Sequence, residues 1–487
     1  MSLALLMEQL RPHLPVGAQA VYVVGGAVRD AVMGRPVHDI DLAVATGAIP
    51  LTFRLAKALN LPAYILDDER DVGRIVAGAD GITFDVARFR GPTLESDLFG
   101  RDFTINAMAL PVEASSLADV IDLHGGLSDL QAGLVRIVHP GSIDDDPVRG
   151  LRAARFAAQF GFRLTDETNA AARRVAPHLP ERTSAERMRD ELSRILTCDS
   201  PHQGVALLAK LELLPVVLPH MAALDGINQS LPHHEDVLHH TLSVLRYLTQ
   251  LEALLNGAHL DADWAAAAGK ALAPFRARLL AHLESTVDGG ATGYLLLRWG
   301  GLLHDVGKGD TQTIDPHGRI RFLGHDEVGA TIASRILHDL SFSNEAIRRV
   351  RTIVAGHMRP LYLAAEDHPP SRRTIYRYFR ALHEAGLDVG LLALADHLAT
   401  YNGIGDEDAW SSLLSVTSAL YDTYYHDHEQ TVAPPRLLDG RSIMELLDAP
   451  PGHEIGRLLQ LLEEAQASGE VSTRDEAVDF IRRHHTS

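Results

Sequence analysis

The sequence predicts an α+β protein, with a mixed α/β head at the N-terminal end and helices throughout the remainder. Short β-branched apolar runs between Val21 and Phe89 alternate with polar turns and one helical segment, as strands and helices of a mixed sheet do. Beyond Asp144 the runs lengthen and become amphipathic, the mark of packed helices. At 487 residues the chain is too long for a single core, and about three or four domains are expected. The hydrophobic fraction of 46% is ordinary for a folded protein, and a single cysteine, Cys198, excludes an internal disulfide and fits a reducing compartment. The start, MSLALLMEQLRPHLP, lacks the basic residues and cleavage site of a signal peptide. The most apolar long stretch, Gly204–Leu224, is broken by Lys210, Glu212, Pro215 and Pro219, so no membrane association and a cytoplasmic location are expected.

Residues 1–20 read as a helix leading into the stretch Val21–Ala45, VYVVGGAVRDAVMGRPVHDIDLAVA. Here an apolar strand, Val21–Val24, meets the pair Gly25 and Gly26, then a short helix, then a strand carrying Asp39 and Asp41. Side chains two apart on a strand share a face, so the two carboxylates lie together while Ile40, Leu42 and Val44 pack behind. Carboxylates so placed repel unless a cation sits between them. A pair of Mg²⁺ ions fits, one activating a hydroxyl and the other holding a leaving pyrophosphate. The glycines let backbone N–H groups approach phosphates at a helix N-terminus, with Arg29 as a charged clamp. A helix at Leu51–Leu59 and strands at Ala63–Leu66, Gly73–Ala77 and Ile82–Phe89 follow.

Strand, GG, V-R-D, G-R and D-x-D in this order and spacing resemble the polymerase-β-type nucleotidyltransferases, most closely the bacterial tRNA CCA-adding enzymes and poly(A) polymerases. The resemblance implies a polymerase-β-type head and makes Asp85 the third metal-site carboxylate, completing a catalytic trio with Asp39 and Asp41. Arg101–Leu110, RDFTINAMAL, is similar to the family's second motif, which opens on two arginines; here Gly100 replaces the first. By that likeness Arg101 and Asp102, with Asn106, hold the incoming nucleotide. The link before this motif is only Arg90–Gly100, where CCA-adding relatives carry a longer flexible loop; its loss in the family goes with adding C but not the final A.

Asp144–Phe162, DDDPVRGLRAARFAAQFGF, resembles the third motif, D-D-P-x-R-x-x-R. With Pro147 in a first helical turn, Asp146 and Arg149 are neighbours at i, i+3 on one helix face. C and A each present an amino donor beside a ring-nitrogen acceptor, so an adjacent carboxylate and guanidinium select them without a template. Arg152 reaches toward the triphosphate. The net charge of −19 argues against a general nucleic-acid binder, yet between Arg149 and Arg194 ten arginines face six acids, a local reversal where RNA phosphates, or a salt-bridged surface, are expected. Glu181–Leu196 reads as a charged amphipathic neck helix.

A second constellation follows: His240 in DVLHHTL, His304 and Asp305 in LLHDVGK, His325 in GHDEVGA, His357 in VAGHM and Asp396 in LADHL. An adjacent His–Asp inside an apolar helix is costly unless it binds a metal. The order H…HD…H…H…D resembles the HD phosphohydrolase superfamily in its two-metal form, with Mn, Fe, Ni or Mg as the open choices of metal. Lys308 would face a substrate phosphate, with a 2′,3′-cyclic phosphate or a phosphate at a damaged RNA end as the open choices. Arg373, Arg377 and Arg380 fall on one helix face, either an RNA contact or a solvated surface, and the end of the chain, LLDGRSIMELLDAPPGHEIGRLLQLL, resembles the tRNA-contacting tail of CCA-adding enzymes.

The expected organisation is a nucleotidyltransferase head at 1–140, an all-α neck for base selection and RNA binding at 141–225, an HD domain at 226–400 and a helical tail at 401–487. The expected activity is template-independent addition of C, as CC or CCA, to a tRNA 3′ end from CTP and ATP, with pyrophosphate released. Poly(A) polymerase and nucleotide-signalling phosphohydrolase are the alternatives; the first lacks a basic-aromatic signature near the head, and in the second the HD domain comes first. Partners are then the tRNA 3′ end, CTP and ATP, and the sequence indicates no protein partner.

Overall fold

A computed structural model describes residues 3–14, 20–37, 39–76, 83–366 and 368–485. The expected helical residues 1–2 and 15–19 and the expected strand ends Ala77 and Ile82 lie outside the described residues. The chain forms two compact units, Met1–Glu191 with Leu207–Val216, and Leu192–Ala206 with Val217–Ser487. No helix among the described residues is long and apolar enough to cross a membrane.

The first unit is built on a seven-stranded mixed sheet of β1 (Tyr22–Val24), β2 (Asp39–Val44), β3 (Ala63–Asp67), β4 (Val72–Val76), β5 (Thr83–Arg88), β6 (Met108–Pro111) and β7 (Ile121–Asp122), in the order β3-β4-β5-β2-β1-β6-β7. Only β2 and β5 run parallel. The helices are α1 (Leu3–Leu10), α2 (Gly26–Val32), α3 (Ala48–Leu59) and α4 (Leu94–Phe99). Alternation sets the layers: Ile40, Leu42, Val44, Phe84 and Val86 bury one face in a core shared with α1 and α3. The acidic positions of β2 are left on the other face. The expected helix over 1–20 stops at Leu10 and gives way to a 3-10 turn at Arg11–His13, because Pro12 supplies no N–H.

Beyond the sheet the chain is mainly helical, with two exceptions to the expected all-α remainder. Leu134–Val135 pairs in parallel with Arg163–Leu164, and Thr313–Ile314 forms a hairpin with Ile320–Arg321. The neck segment is also divided. A short helix ends at Arg182, and Ser184 caps a second, Ala185–Thr197, by accepting from Arg187 N. In the second unit the helices Val237–Leu255, Gly293–Leu303, Asn344–Gly356 and Ala385–Tyr401 surround one large apolar core. The tail helices Gly440–Leu447, His453–Ser468 and Arg474–His484 have a small core of their own around Ile443, Leu458 and Phe480. Arg373 and Arg377 are engaged there by Glu464, at 3.3 and 3.0 Å, rather than left free on their face.

Candidate functional site

In the first unit the strand register brings the expected carboxylates to one edge of the sheet. Asp41 lies opposite Asp85 and Asp39 opposite Thr83. Each acid already has a partner or neighbour. Thr83 Oγ1 donates to Asp39 at 2.5 Å, and Arg74, across from Asp85 on β4, grips both of its oxygens at 2.6 and 2.7 Å. The pKa of Asp41 is raised, first by the protein crowded around it and then by the charges of Asp85 and Asp39, against the pull of Arg101. That mutual repulsion suits a divalent cation. The three carboxylates nevertheless do not form a set whose donor atoms all lie within 4.8 Å of one another, because Arg74 and Thr83 hold two of them to the strands.

Gly25 makes the turn between β1 and α2 at φ +73°, and a Cβ there would stand 2.8 Å from Arg101 Nη1 and 3.2 Å from Asp41 Oδ2. Only glycine lets the backbone lie this close to the acid–arginine pair. Gly26 opens α2. Arg29, on α2, is not a free clamp: it is buried, donates to Asn106 Oδ1 at 2.6 Å and to Asp30, and stacks on Phe160 with its Cζ 4.8 Å from the ring centre.

Asn106 passes the link on to Asp102, which accepts from Asn106 Nδ2 at 3.0 Å, from Phe103 N at 2.8 Å and from Arg152 at 2.8 and 2.6 Å. Burial alone would raise the pKa of Asp102, but Arg152 and these donors hold it well below the usual carboxylate range. Arg152 also meets Glu191 at 3.3 Å. Asp146 and Arg149 do not share a helix face. Pro147 keeps Asp146 extended (φ −147°, ψ 97°) after the short helix Ser142–Asp145, and the next helix begins at Arg149. Asp146 pairs instead with Arg187 at 2.6 Å, while Arg149 donates to Gly100 O and Ser142 Oγ, both at 2.9 Å.

Two residues absent from the sequence-based expectation are prominent here. Arg74 is the counter-ion of Asp85, and Arg90 donates to the same Gly100 carbonyl as Arg149, at 2.9 Å. The pKa of Arg90 is lowered by its crowded surroundings and by the positive charges of Arg101 and Arg149. Arg90 and Arg101 thus both act on Asp41, and Arg149 lies next to Arg90, a gathering of positive charge that suits an anion. Gly100 has φ −74° and room for a Cβ 3.5 Å from its neighbours, so the backbone does not demand glycine there. The position of Arg90 at the exit of β5 was the available signal.

In the second unit the six expected ligands converge. His240, His304 and Asp396 form one buried group and Asp305, His325 and His357 another, each with donor atoms within 4.8 Å of one another. Asp305 joins the two: its Oδ2 is 3.1 Å from His304 Nε2 and 3.7 Å from His240 Nε2, and its Oδ1 is 3.4 Å from His325 Nε2 and 3.8 Å from His357 Nε2. His304 and Asp305 do not lie inside the helix as expected. His304 caps the C-terminus of Gly293–Leu303 and Asp305 begins the turn after it. His357 likewise caps Asn344–Gly356.

The imidazole orientation fits a metal. His304, His325 and His357 each hydrogen-bond through Nδ1 to the backbone carbonyl three residues earlier, at 2.8, 2.8 and 2.7 Å, which turns Nε2 inward. The buried atoms His304 Nε2 and Asp305 Oδ2 have close neighbours but no aligned hydrogen bond. Burial, then the neighbouring His304, lowers the pKa of His357 to about 4. For His304 burial is overcome by Asp305, and the pKa is raised. A cavity of about 290 Å³ opens onto this cluster, with Lys308 and His233 on its wall. Lys308 Nζ reaches Asp305 and Gln229, both at 2.7 Å. His233 was not expected there.

Three family descriptions match: the poly A polymerase head domain over residues 21–136, the probable RNA and SrmB-binding site of polymerase A over 161–224, and the HD domain over 277–401. An A-adding tRNA nucleotidyltransferase of Deinococcus radiodurans is 35% identical over 486 residues, spanning 98% of each chain. A CC-adding tRNA nucleotidyltransferase of Thermus thermophilus is 35% identical over 94% of this chain and 92% of its own. The solved complex of a CCA-adding enzyme with CTP shares the fold, with a TM-score of 0.60 at 20% identity over 99% of this chain and 94% of that one.

Proposed function

The chain belongs to the tRNA nucleotidyltransferase family, and we propose that its head adds C to the 3′ end of tRNA from CTP, without a template, in the cytoplasm. In this reading the protein is organised as head (1–140), neck (141–225), HD domain (226–400) and tail (401–487). The observation that carries it is the register of Asp41 against Asp85, with Asp39 two residues away on the same face. Mg²⁺ held by Asp39, Asp41 and Asp85 would supply the Lewis acid that makes the terminal hydroxyl a nucleophile. The chain's own groups do the rest. Arg90, Arg101 and Arg149 balance the triphosphate charge, and the backbone at Gly25 closes on it from below. Asp102, fixed by Arg152 and Asn106, holds the floor on which the nucleotide's sugar rests. Asp146 beside an arginine, Arg187 in the present arrangement with Arg149 opening the next helix, accepts from the exocyclic amine of C or A while the guanidinium donates to the ring nitrogen.

The preference for C is supported by the link between β5 and Arg101. It is an ordered turn of helix, α4, with a Thr93–Ser96 capping box, and Asp97 ties it to Arg101 at 2.9 Å. Addition of A is the second reading, favoured by the Deinococcus relative. One assay separates them. The protein is given tRNA ending at the discriminator base, or at CC, with CTP and ATP separately and together, and products are sized by single nucleotides. Two additions from CTP are expected. ATP incorporation confined to the CC-ended tRNA would establish A addition instead. Asp39→Ala with Asp41→Ala is expected to abolish incorporation, and retained activity would refute the assignment.

The six ligands of the second unit support a metal-dependent phosphohydrolase. A divalent ion there would activate water toward a phosphate ester, with Lys308 placed to hold the phosphate.

A further inference from the structure

A larger cavity, of about 870 Å³, lies elsewhere in the second unit and shares no lining residue with the cavity over the metal-ligand cluster. It is set among the helices Asn344–Gly356, Arg372–Leu382, Glu407–His426 and His453–Ser468. In a chain of net charge −19, its lining holds four arginines (348, 349, 380 and 436) against three glutamates. We propose that this cavity is a second nucleotide site, taking a nucleoside phosphate distinct from the substrate bound in the head.

The floor is built for an anion. Arg349 is buried at 8% exposure and is held from behind by the fully buried Asp388, whose Oδ2 accepts from Nε at 2.9 Å. His282 Nε2 sits between them, 3.1 Å from Asp388 and 2.6 Å from Arg349 Nη2. Nη1 of Arg349 makes no hydrogen bond among the described residues. Burying a guanidinium this far is costly unless it is paired, and here the pairing fixes it at the wall of a cavity large enough for a nucleotide.

The rim can rearrange. Arg380 rests over the Tyr376 ring, Cζ 5.9 Å from its centre, and has no carboxylate partner among the described residues. Arg436 meets Glu463 at 2.9 Å, and Arg348 meets Glu345. Such exposed pairs are individually weak, so a phosphate displaces the glutamates at little cost and gains bidentate partners. Tyr424, half-buried and packed with Phe379 and His428 at 4.9 Å each, offers a ring for a base to stack on. His383 at the cavity edge holds φ +50° with ψ −138°, a strained conformation for a residue with a Cβ and one that collects at ligand sites.

Photolabelling of the full-length protein with 8-azido-ATP, followed by peptide mapping, tests this. Label is expected in peptides spanning 372–384 or 424–436, in the Asp39→Ala/Asp41→Ala variant as well as in the native chain. Arg380→Glu with Arg436→Glu is expected to reduce that label at least tenfold with CTP incorporation unchanged. Tyr424→Leu, which carries no charge change, is expected to reduce it also and replaces the double variant if circular dichroism shows the latter misfolded. Label confined to head peptides, or cavity label indifferent to these substitutions, would overturn the proposal. So would cavity label that tRNA lacking its CCA end displaces while the variant loses tRNA affinity, since that would make the cavity an RNA surface.

Discussion

Arg74→Met is expected to raise the affinity of the head for Mg²⁺. Arg74 grips both oxygens of Asp85 at 2.6 and 2.7 Å, so an ion that uses Asp85 must first displace a guanidinium. The pair is partly exposed, with side-chain exposures of 34% and 24%. The hydrogen bonds to Asp85 raise the pKa of Arg74, with burial opposing, but solvent screening at that exposure limits the net value to about 1 kcal/mol. Removing the competitor returns that amount to metal binding, about fivefold at 1.36 kcal/mol per tenfold. The fold loses a similar amount of stability. The readout is the Mg²⁺ dependence of CTP incorporation into tRNA, which reports the head alone and ignores any ion bound by the histidines. A midpoint shifted to lower Mg²⁺ is expected in the variant. A midpoint that stays or moves upward would refute the competition and make Arg74 a residue that holds Asp85 in its working position.

Gly25→Ala is expected to abolish incorporation and to cost about 1–3 kcal/mol of stability, since φ +73° is strained for alanine and its Cβ would press on Arg101 and Asp41; activity within tenfold of native, measured on folded protein, would contradict the close approach. At the histidine cluster, metal uptake at pH 6.5 is expected to release protons from His304. Asp305, against burial, raises the pKa of His304 and favours its protonated form before the ion arrives, whereas His357, lowered to about 4, is neutral. Calorimetry of the metal-free protein in buffers of different ionisation enthalpy measures the release, which should fade as pH rises and His304 deprotonates on its own; no release at pH 6.5 would refute it.

The strands and the Asp39–Asp41 pair were legible because each rests on a local rule, whereas Asp85 came from the family resemblance. Alternation in DIDLAV places Asp39 and Asp41 together whatever else the chain does. The six histidine and aspartate positions were legible as an order of residue types, although three elements contribute them from helix ends rather than from helix interiors. Arg29, Arg101, Arg149 and Arg152 were named from the sequence, but Arg74, Arg90 and the arginines' partners were not legible. That Arg74 faces Asp85 depends on the antiparallel register of β4 on β5, and that Arg90 and Arg149 meet at Gly100 depends on a carbonyl far from Arg149 in sequence. The break at Asp146 stood in plain sight, because the residue before a proline avoids the helical region, and Ser184 likewise marked the divided neck.

The two acidic centres differ in how their charge is managed, and the difference has a functional sense. In the second unit the inward atoms of the histidines and Asp305 face one another with no arginine among the group; Lys308 stands 2.7 Å from Asp305 and His240 meets Asp396 at 3.0 Å, yet the buried His304 Nε2 and Asp305 Oδ2 lack an aligned hydrogen bond, so the donor set fits an ion before any substrate arrives. In the head, arginines already stand against the acids: Arg74 on Asp85, Arg101 beside Asp41. A bare ion gains less there, because it must replace charge that is already balanced. A nucleotide changes the balance. In the proposed reading its triphosphate would draw on the guanidiniums of Arg90, Arg101 and Arg149, leave Asp41 under-compensated and so favour the ion when the substrate is present. In the proposed reading the head would thereby couple its ion to its nucleotide through Arg101, which acts on Asp41 and would face the triphosphate.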